Sequence, residues 1–455
     1  MAETSNTTSL MIFTRDLRID DNPALCAAAA TENLECLFVI DTEIFRSGTA
    51  SKRRGVFLNQ CLADLSKSLE ERGAHLDIVT GNWSQEVRRR IRELNPRSVH
   101  ISDDYSSYAK HRLNNLSSWC IDHGVALHRH PGVAAVPPAQ ITPGGGGEYK
   151  VFTPYWRSWL TAPKRCLFPP PNKLPGSSAK PQTPNPVLSV PESTILVGGE
   201  SQALEHLNRW LHNGIANYEK QRDIPAVSGT SLLSPYLHFG CVSALRLMQL
   251  AEGVPGADVF LRQLAWRDFY TQILDARPDS SRHDYRDRGD QWEYKPQAFE
   301  SWTNGMTGFP LVDAGMRQLR AEGLMHNRVR IVTASFLIKD LHQDWRLGAN
   351  YFMSQLLDGD VASNYLNWQW IAGTGTDNNP HRVLNPTTQA KRFDPNAEYI
   401  GRWVPELSRL TPSDAINPPI SVRSQTGYPA TIVDHQQSIE AFKRRRLAHS
   451  KNKSK

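Results

Sequence analysis

The sequence predicts two domains, an N-terminal α/β domain with a doubly wound parallel sheet and a C-terminal domain built only of helices. In the first part of the chain, short apolar runs alternate with helical patterns. A Gly- and Pro-rich stretch follows, and beyond it the strand pattern disappears. A length of 455 residues is also too great for one ordinary core. We therefore expect an α/β domain at 8–135, a linker at 136–200, a helical domain at 201–435 and a basic tail at 436–455.

The α/β prediction rests on apolar runs that have the length of strands. The runs are Leu10–Phe13, Cys36–Ile40, Leu76–Val79, Ser98–Ile101 and Val125–His128. Apolar residues at helical spacing lie between them, at Phe57–Leu65 and Val87–Leu94. Alternation of strands and helices favours a parallel sheet with helices on its faces. Such sheets bind ligands at the carboxyl ends of their strands.

A change of composition marks the linker. Gly144–Gly147 is an unbroken glycine run, and Pro169–Pro171 opens a Pro- and Ser-rich stretch that reaches Pro191. That composition is typical of a linker because it offers little apolar surface for a core. Beyond it, helical periodicity recurs at Leu261–Ile273, Pro310–Leu319 and Val329–Leu341. We expect the basic tail, from Lys443 onward, to be a frayed end.

Composition narrows the class of protein. Hydrophobic residues make up 39% and charged residues 22%, as in a soluble globular protein. No apolar run approaches the roughly 20 residues of a membrane helix, and the N-terminus lacks the pattern of a signal peptide. The six scattered cysteines suggest neither a metal site nor a disulfide framework, so we expect a cytoplasmic protein. A net charge of +6 is compatible with a polyanionic partner and equally with an ordinary basic enzyme.

The most informative segment is Leu357–Trp370. It holds two acids, side-chain amides and two tryptophans, and its charged groups and indoles alternate without the apolar stripe of a core helix. Such a mixture indicates a site for a large planar ligand.

This segment resembles the flavin-binding signature of the photolyase/cryptochrome family. The resemblance extends over most of the chain, with similar motifs at Phe13–Pro23 and Tyr149–Tyr155, and it is strongest to bacterial class I enzymes that act on cyclobutane pyrimidine dimers. It implies that the α/β domain is an antenna domain and that the helical domain binds FAD. It also implies a monomer that repairs UV-damaged DNA in the cytoplasm, at the nucleoid, with no membrane contact.

Hydroxyl groups before a helix could bind the FAD phosphates. At Gly229–Leu237, hydroxyls and free N–H groups at a helix start can bind phosphate, although Ser and Thr there are more often caps. The resemblance implies pyrophosphate binding by Tyr218 and by Thr230, Ser231, Leu232, Leu233 and Ser234.

A charged pair is expected beside the flavin ring. Arg330 lies in an apolar helical pattern and needs an acid, for which Asp358 is the candidate, although an ordinary interhelical salt bridge would also explain the pair. The resemblance implies that this pair favours the anionic reduced flavin. It also implies that Asn327 and Asp360 line the cofactor and that Asn364 faces flavin N5, whereas by itself Asn364 could be a turn residue.

The resemblance also assigns electron transfer and substrate binding. Trp292, Trp345 and Trp368 match the family's tryptophan triad, which carries electrons to the excited flavin, although three tryptophans in an apolar domain are more often packing. The implied substrate-binding residues are Gln263, Trp266, Arg328, Ile331 and Trp370, and the best-known bacterial enzymes have Glu and Met in place of Gln263 and Ile331.

Lesion type and DNA contacts follow from the same resemblance. Enzymes for (6-4) photoproducts have histidines at the positions of Asn327 and Ile331, so a cyclobutane dimer is expected here. The implied reaction passes an electron from excited reduced FAD to the flipped dimer, opens both ring bonds and returns the electron. Arg328, Lys391 and Arg392 are expected to contact phosphates, although Lys391 and Arg392 could equally be a solvated loop.

The antenna chromophore is less defined. The folate type has Asn and Glu after the fourth strand, and Ser102–Tyr108 lacks that pair, which favours a deazaflavin and leaves an empty pocket open. Asp103 and Asp104 alone could be an N-terminal helix cap.

Two other functions fit the sequence less well. A sensory cryptochrome is disfavoured by Asn364, Trp266, Trp370 and the short tail. A conventional dinucleotide oxidoreductase would need Gly-x-Gly-x-x-Gly after the first strand, where the chain instead has the bulky Thr14–Arg18.

Overall fold

The structure is a computed structural model that describes residues 8–176, 194–376, 379 and 381–452. Most of the predicted Pro- and Ser-rich linker, residues 177–191, lies outside the described residues. By its internal contacts the chain divides into two compact units, one of residues 1–216 and 231–278, the other of residues 217–230 and 279–455. Among the described helices, none combines the length and the apolarity that a membrane crossing requires.

The first unit contains the predicted parallel sheet. Its described strands are β1 (Thr8–Phe13), β2 (Asn33–Asp41), β3 (Leu76–Gly81), β4 (Ser98–Ser102) and β5 (Ala126–His130), and all neighbouring pairs are parallel, in the order β3-β2-β1-β4-β5. Chain order reverses between β1 and β4, where a doubly wound sheet opens its ligand crevice. The predicted fold class of this part is confirmed.

The central strands were visible in the sequence because both of their faces are covered. All six residues of β1 are buried, and its last four, Leu10–Phe13, form a continuous apolar run rather than an alternating pattern. On one face, Leu10 and Ile12 pack with Trp83 and Val87, which lie one helical turn apart.

Ten α-helices of the described chain belong to this unit. They are α1 (Pro23–Ala28), α2 (Thr42–Arg46), α3 (Lys52–Glu70), α4 (Trp83–Leu94), α5 (Ser107–Asp122), α6 (Phe152–Thr161), α7 (Glu200–Asn213), α9 (Ser234–Phe239), α10 (Ala244–Ala251) and α11 (Ala257–Ala276). Helix α6 lies inside the predicted linker, and α9 to α11 lie inside the predicted helical domain, so the units differ from the expected boundaries.

Buried charges explain why these segments join the α/β unit. Arg18 is 1% exposed and donates from Nη1 to the carbonyl of Gly240 (2.9 Å) and from Nη2 to that of Gly132 (3.1 Å). Asp268 of α11 accepts hydrogen bonds from the backbone N–H of Ala135 and from Trp159 Nε1 of α6, both at 3.0 Å. Each charged group holds chain segments that are far apart in sequence, and burial without these bonds would be strongly unfavourable.

The second unit is helical, as predicted. Its described α-helices are α8 (Tyr218–Gln221), α12 (Pro296–Asn304), α13 (Pro310–Glu322), α14 (Asn327–Ser335), α15 (Trp345–Gln355), α16 (Val361–Ala372), α17 (Pro386–Phe393), α18 (Glu398–Trp403), α19 (Pro412–Ile416), α20 (Ile420–Thr426) and α21 (His435–Asn452). A π-helical turn, Phe336–Asp340, follows α14, so the single predicted helix Val329–Leu341 changes its hydrogen-bond pattern part-way.

The basic tail is not a frayed end over its described part. It forms α21, whose Phe442 is 1% exposed and whose Arg446 is paired with Asp290 through contacts of 2.9 and 2.6 Å. Arg446 Nη2 also donates to the carbonyl of Ala372 at the end of α16. The expectation failed because the acid that neutralises Arg446 lies 156 residues earlier in the chain.

Candidate active site

The hydroxyl-rich segment before α9 does not cap that helix. Leu233 occupies the N-cap position and makes no side-chain cap hydrogen bond, although Leu233 N–H donates to Ser231 Oγ over a long 3.4 Å. Leu232 has a positive φ of 49°, which turns the chain sharply before α9. The Ser231 carbonyl is engaged by His206 Nε2 at 2.7 Å. Thr230, Ser231 and Ser234 therefore place three hydroxyl groups before and at the start of α9, where the N-cap side chain of Leu233 makes no cap hydrogen bond.

In the second unit, Tyr218 and Asn327 begin two helices. Tyr218 is the first residue of α8, and partial burial raises the pKa of its phenol. Asn327 is exposed at the start of α14, directly after the N-cap residue His326. Burial lowers the pKa of His326 to about 4, so its imidazole is neutral and its Nδ1 can accept the Arg328 N–H at 3.2 Å.

Arg330 and Asp358 form the pair that the sequence predicted. Arg330 Nη2 lies 3.1 and 3.0 Å from the two carboxylate oxygens of Asp358, and Arg330 Nε donates to the Met325 carbonyl at 2.8 Å. The arginine side chain is 27% exposed and that of Asp358 is 6% exposed. The guanidinium is thus fixed and remains partly open to its surroundings, so it can act as a stationary positive charge.

Helix α16 carries Asp360 and Asn364 on its first turns. Asp360 is the N-cap residue, and its Oδ1 accepts the Ser363 N–H at 2.8 Å. Asn364 is 9% exposed and donates from Nδ2 to the Ala349 carbonyl at 2.9 Å. This bond fixes the orientation of the Asn364 amide, whose oxygen is its hydrogen-bond acceptor.

The three tryptophans predicted to transfer electrons lie in or near α15. Trp368 of α16 packs onto α15 at Gly348, where a Cβ would come closer to the Trp368 ring than real Cβ atoms approach. Trp345, at the start of α15, is fully buried and donates from Nε1 to Asp284 Oδ1 at 2.8 Å. Trp292 is partly exposed, with its ring centroid 5.7 Å from that of His342, three residues before Trp345. Trp368 and Trp345 are therefore buried in this unit, whereas Trp292 is partly exposed.

Sequence reasoning missed Gln369, which lies between Trp368 and Trp370. Its side chain is completely buried, donates from Nε2 to the carbonyls of Ser280 (2.5 Å) and His283 (3.0 Å), and accepts the Tyr285 N–H at 2.7 Å. An uncharged amide within a signature of acids and aromatics gave no signal of this role. Gln369 fixes the loop that carries Asp284.

In the first unit, Trp266 stands in an aromatic stack. Its ring lies 3.7 Å from that of Phe152 at an interplanar angle of 4°, and Tyr270 lies 5.5 Å away. The sequence did not reveal Phe152 as a partner because the two residues come from helices α6 and α11. Gln263, one turn before Trp266, is partly exposed and donates over a long 3.4 Å to the Val259 carbonyl, so its amide oxygen can accept a ligand donor.

The remaining predicted substrate residues lie in the second unit. Trp370 is partly exposed, with the Arg382 guanidinium 4.7 Å from its ring centroid, and Ile331 packs at the edge of the core. Arg328 donates to Asp223 at 2.6 Å and lies 4.4 Å above the Phe393 ring, so its charge is already partly compensated.

Lys391 and Arg392 lie in the last turn of a helix and not in the solvated loop that the sequence also allowed. Lys391 and Arg392 are exposed at the end of α17.

At the switch point of the sheet, side chains from two strand ends meet. Ser102, the last residue of β4, donates to Asp16 Oδ2 at 2.7 Å, and Arg15 lies 3.5 Å from Asp104. Burial is the main influence on Asp16 and raises the pKa of its carboxyl. The cap of α5 is Ser106, whose Oγ accepts the Ala109 N–H at 3.2 Å, so the interpretation of the preceding acids as the N-cap was wrong.

Two family models match separate stretches of the chain. Residues 9–176 match the family described as DNA photolyase, and residues 260–447 match the family described as the FAD binding domain of DNA photolyase. A deoxyribodipyrimidine photo-lyase from Streptomyces griseus is 42% identical over 96% of this chain and 99% of its own length. The chain belongs to the DNA photolyase family.

Solved structures of the family share this fold. A bacterial class III photolyase from Agrobacterium tumefaciens superposes with a TM-score of 0.91 at 31% identity, over 99% of this chain and 100% of its own. A cryptochrome from Synechocystis superposes with a TM-score of 0.90 at 27% identity, over 96% of this chain and 98% of its own. The photolyase fold is therefore confirmed for both parts of the chain.

The family's FAD fits the residues that this photolyase chain presents. The hydroxyls of Thr230, Ser231 and Ser234 at the start of α9 are donors suited to a diphosphate. The fixed Arg330 guanidinium suits an anionic ring, and the Asn364 amide oxygen suits a ring N–H. Both charge and donor type therefore match a reduced flavin nucleotide.

Proposed function

We propose that this chain is a deoxyribodipyrimidine photo-lyase that binds UV-damaged DNA and splits cyclobutane pyrimidine dimers in light. The observation that carries this conclusion is the combination, in one unit, of the Arg330–Asp358 pair with Asn364 and Trp368 on α16. When bound, reduced FAD supplies the light-driven electron that opens the dimer. The protein supplies binding, orientation and electrostatics.

FAD is held, in this proposal, by residues whose donors and charges suit its parts. The amide oxygen of Asn364 would accept a hydrogen bond from flavin N5–H. Arg330, oriented by Asp358, would stabilise the negative charge of the reduced ring, because a fixed guanidinium needs no reorganisation to do so. The full set proposed for the cofactor is Tyr218, Thr230, Ser231, Leu232, Leu233, Ser234, Asn327, Arg330, Asp358, Asp360 and Asn364.

The flipped dimer is proposed to contact aromatic walls and few charges. Trp266 supports this role because its stack on Phe152 fixes the plane of the indole before any substrate arrives. Trp370 would form a second wall, and Gln263, Arg328 and Ile331 would complete the set. Gln263 offers an amide oxygen where the best-known enzymes offer a carboxylate, so it can still accept a hydrogen bond from a pyrimidine edge.

Phosphate contacts are proposed for the basic residues of the second unit. Lys391 and Arg392 are exposed side by side at the end of α17, and Arg328 lies near the same Phe393 ring as Arg392. Affinity should therefore fall with salt.

Trp368, Trp345 and Trp292 are proposed to reduce the cofactor when it is oxidised. Their burial supports a path from the core to the surface, since Trp368 and Trp345 are 3% and 0% exposed whereas Trp292 is partly exposed. Each indole can donate one electron and then be reduced again by the next indole in the series.

An antenna chromophore, a deazaflavin rather than a folate, is proposed at the switch point between β1 and β4. The Ser102–Asp16 hydrogen bond and the Arg15–Asp104 ion pair support a polar ligand site there, at the carboxyl ends of the strands. We further propose that the protein acts as a monomer in the cytoplasm, on DNA of the nucleoid.

The deciding experiment is repair of UV-irradiated oligothymidylate by the chemically reduced protein, in blue light and in darkness, followed by the return of thymine absorbance. Recovery in light alone is the expected result. No recovery by protein that contains FAD would contradict the proposal and favour a sensory cryptochrome or another lesion.

A pair of variants tests the lesion site. Trp266→Ala should weaken binding of damaged DNA while FAD stays bound. Trp156→Ala removes a neighbouring indole of α6 that is more loosely stacked, with its ring 6.5 Å from Phe152, and should leave affinity unchanged. Equal affinities of both variants for damaged DNA would remove Trp266 from the site.

A further inference from the structure

Asp284 is a carboxylate in direct contact with the middle tryptophan of the series. Its Oδ1 accepts the Trp345 Nε1–H at 2.8 Å, and its side chain is only 12% exposed. The same oxygen accepts from Arg346 Nη2 at 2.8 Å, so the carboxylate is bonded to both an indole and a guanidinium. Asp284 belongs to none of the motifs that mark the cofactor or substrate residues.

The position of Asp284 is fixed from two sides. Gln369 binds the backbone of its neighbours, accepting from Tyr285 N–H at 2.7 Å and donating to the His283 carbonyl at 3.0 Å. Arg346 Nε also donates to the Arg282 carbonyl at 2.6 Å. A carboxylate whose loop is held by a buried amide does not need to reorganise when charge develops beside it.

The two buried tryptophans therefore have different surroundings. Trp368 packs against Phe352 and Trp302, whose ring centroids lie 5.0 and 6.1 Å away. Trp345 has a negative charge within hydrogen-bond distance of its N–H. A positive hole is stabilised by a nearby anion, and the stabilisation is large in an interior of low dielectric constant. The hole should thus be more stable on Trp345 than on Trp368.

Arg346, which lies over the face of the Trp345 ring, opposes the stabilisation of a hole on Trp345. Its guanidinium carbon lies 4.7 Å from the Trp345 ring centroid, where a positive charge raises the free energy of an oxidised indole. Asp284 acts more strongly because it bonds to the N–H itself, and loss of an electron makes that N–H more acidic and its bond to a carboxylate stronger.

We propose that Asp284 is a positioning residue for electron transfer, which draws the hole from Trp368 to Trp345. The inference rests on the proposed electron path. In this step one electron passes from neutral Trp345 to the Trp368 radical cation, Trp368 becomes neutral and the hole resides on Trp345. No covalent bond forms or breaks, and the indole proton stays on Nε1. The hole then passes to Trp292. A small thiol in solution reduces the Trp292 radical cation with one electron and is itself oxidised.

The test compares two variants that break the same ion pair. Asp284→Asn keeps the shape and removes the negative charge, whereas Arg346→Gln removes the positive charge. If the pair only holds the loop, both variants should change photoreduction in the same direction. The proposal instead requires opposite directions, with the equilibrium of hole transfer to Trp345 falling about tenfold in Asp284→Asn and rising in Arg346→Gln.

Transient absorption of the tryptophan radical cation, on protein with oxidised FAD and a fixed thiol concentration, measures the effect. A second readout is the ¹H–¹⁵N NMR signal of the Trp345 indole, which should move upfield in Asp284→Asn because the charged acceptor is lost. Changes in the same direction, or no change in either variant, would overturn the proposal.

A Trp345→Phe variant separates this inference from the function on which it rests. Blocked photoreduction in Trp345→Phe, together with normal photoreduction in both charge variants, would refute the role of Asp284 alone. Normal photoreduction in Trp345→Phe would instead refute the electron path itself. Dimer repair by chemically reduced protein should be normal in Asp284→Asn and in Arg346→Gln, because that reaction does not use the path.

Discussion

Replacing Arg446 with Met should destabilise the second unit strongly, although the residue lies in a basic tail. The Arg446 and Asp290 side chains are 4% and 5% exposed, and two contacts of 2.9 and 2.6 Å join them. Removal of one partner leaves the other charge buried alone, which typically costs about 3–5 kcal/mol. Met retains most of the hydrophobic stem that packs near Phe442, so the loss is mainly electrostatic.

The same helix offers a matched control. Arg444 lies 3.9 Å from Glu440, and these side chains are 72% and 56% exposed, so Arg444→Met should change stability by less than about 0.5 kcal/mol. A double variant, Arg446→Met with Asp290→Asn, should recover part of the loss because no charge then remains buried alone.

Urea unfolding, followed by the release of FAD fluorescence, measures these differences. A loss of about 3 kcal/mol corresponds to a shift of more than about 100-fold in the unfolding equilibrium constant. Equal effects of Arg446→Met and Arg444→Met would refute the reasoning, since they would mean that the Arg446–Asp290 pair is as solvated in solution as the exposed pair. Failure of the double variant to recover stability would show that the Ala372 contact, not the buried charge, is decisive.

Three further outcomes are expected. Burial, with His130 and His128 as further causes, lowers the pKa of His100 to about 4, while unfolded histidine titrates near 6.5. As the pH falls between those two values, only the unfolded chain gains a proton at this site, so the free energy of unfolding should drop by up to about 3 kcal/mol. In His100→Gln, the urea midpoint should depend less on pH over the same range. Gly348→Ala should cost about 1–3 kcal/mol in the same assay despite the better helix propensity of Ala, because its Cβ overlaps the Trp368 ring. Trp368→Phe should abolish photoreduction of the oxidised enzyme and spare dimer repair after chemical reduction; normal photoreduction would remove Trp368 from the path.

Local signals allowed much of this fold to be predicted from the sequence. Parallel strands buried on both faces leave continuous apolar runs, and β1 is such a run. A lone charge in an apolar helix demands a partner, which is why Arg330 led to Asp358. Both inferences need only a short window of sequence and one physical rule.

The remaining features depend on partners that are distant in sequence. Asp284 meets Trp345 across 61 residues, Gln369 meets Tyr285 across 84, and Arg446 meets Asp290 across 156. No periodicity or composition records such pairings, because each side chain alone is compatible with a solvated surface. For the same reason the sequence did not reveal the contacts that group α9 to α11 with the first unit.

Helix α16 has little freedom to change during evolution. Within one turn and a half, Asn364 bonds to α15, Trp368 packs against Gly348 and Gln369 fixes the loop of Asp284. At its end the backbone of Ala372 accepts Arg446. Because successive residues serve different neighbours, a substitution here cannot be offset by one compensating change elsewhere. Laboratory evolution of new lesion specificity should therefore find tolerated diversity in α17 and α11 sooner than in α16.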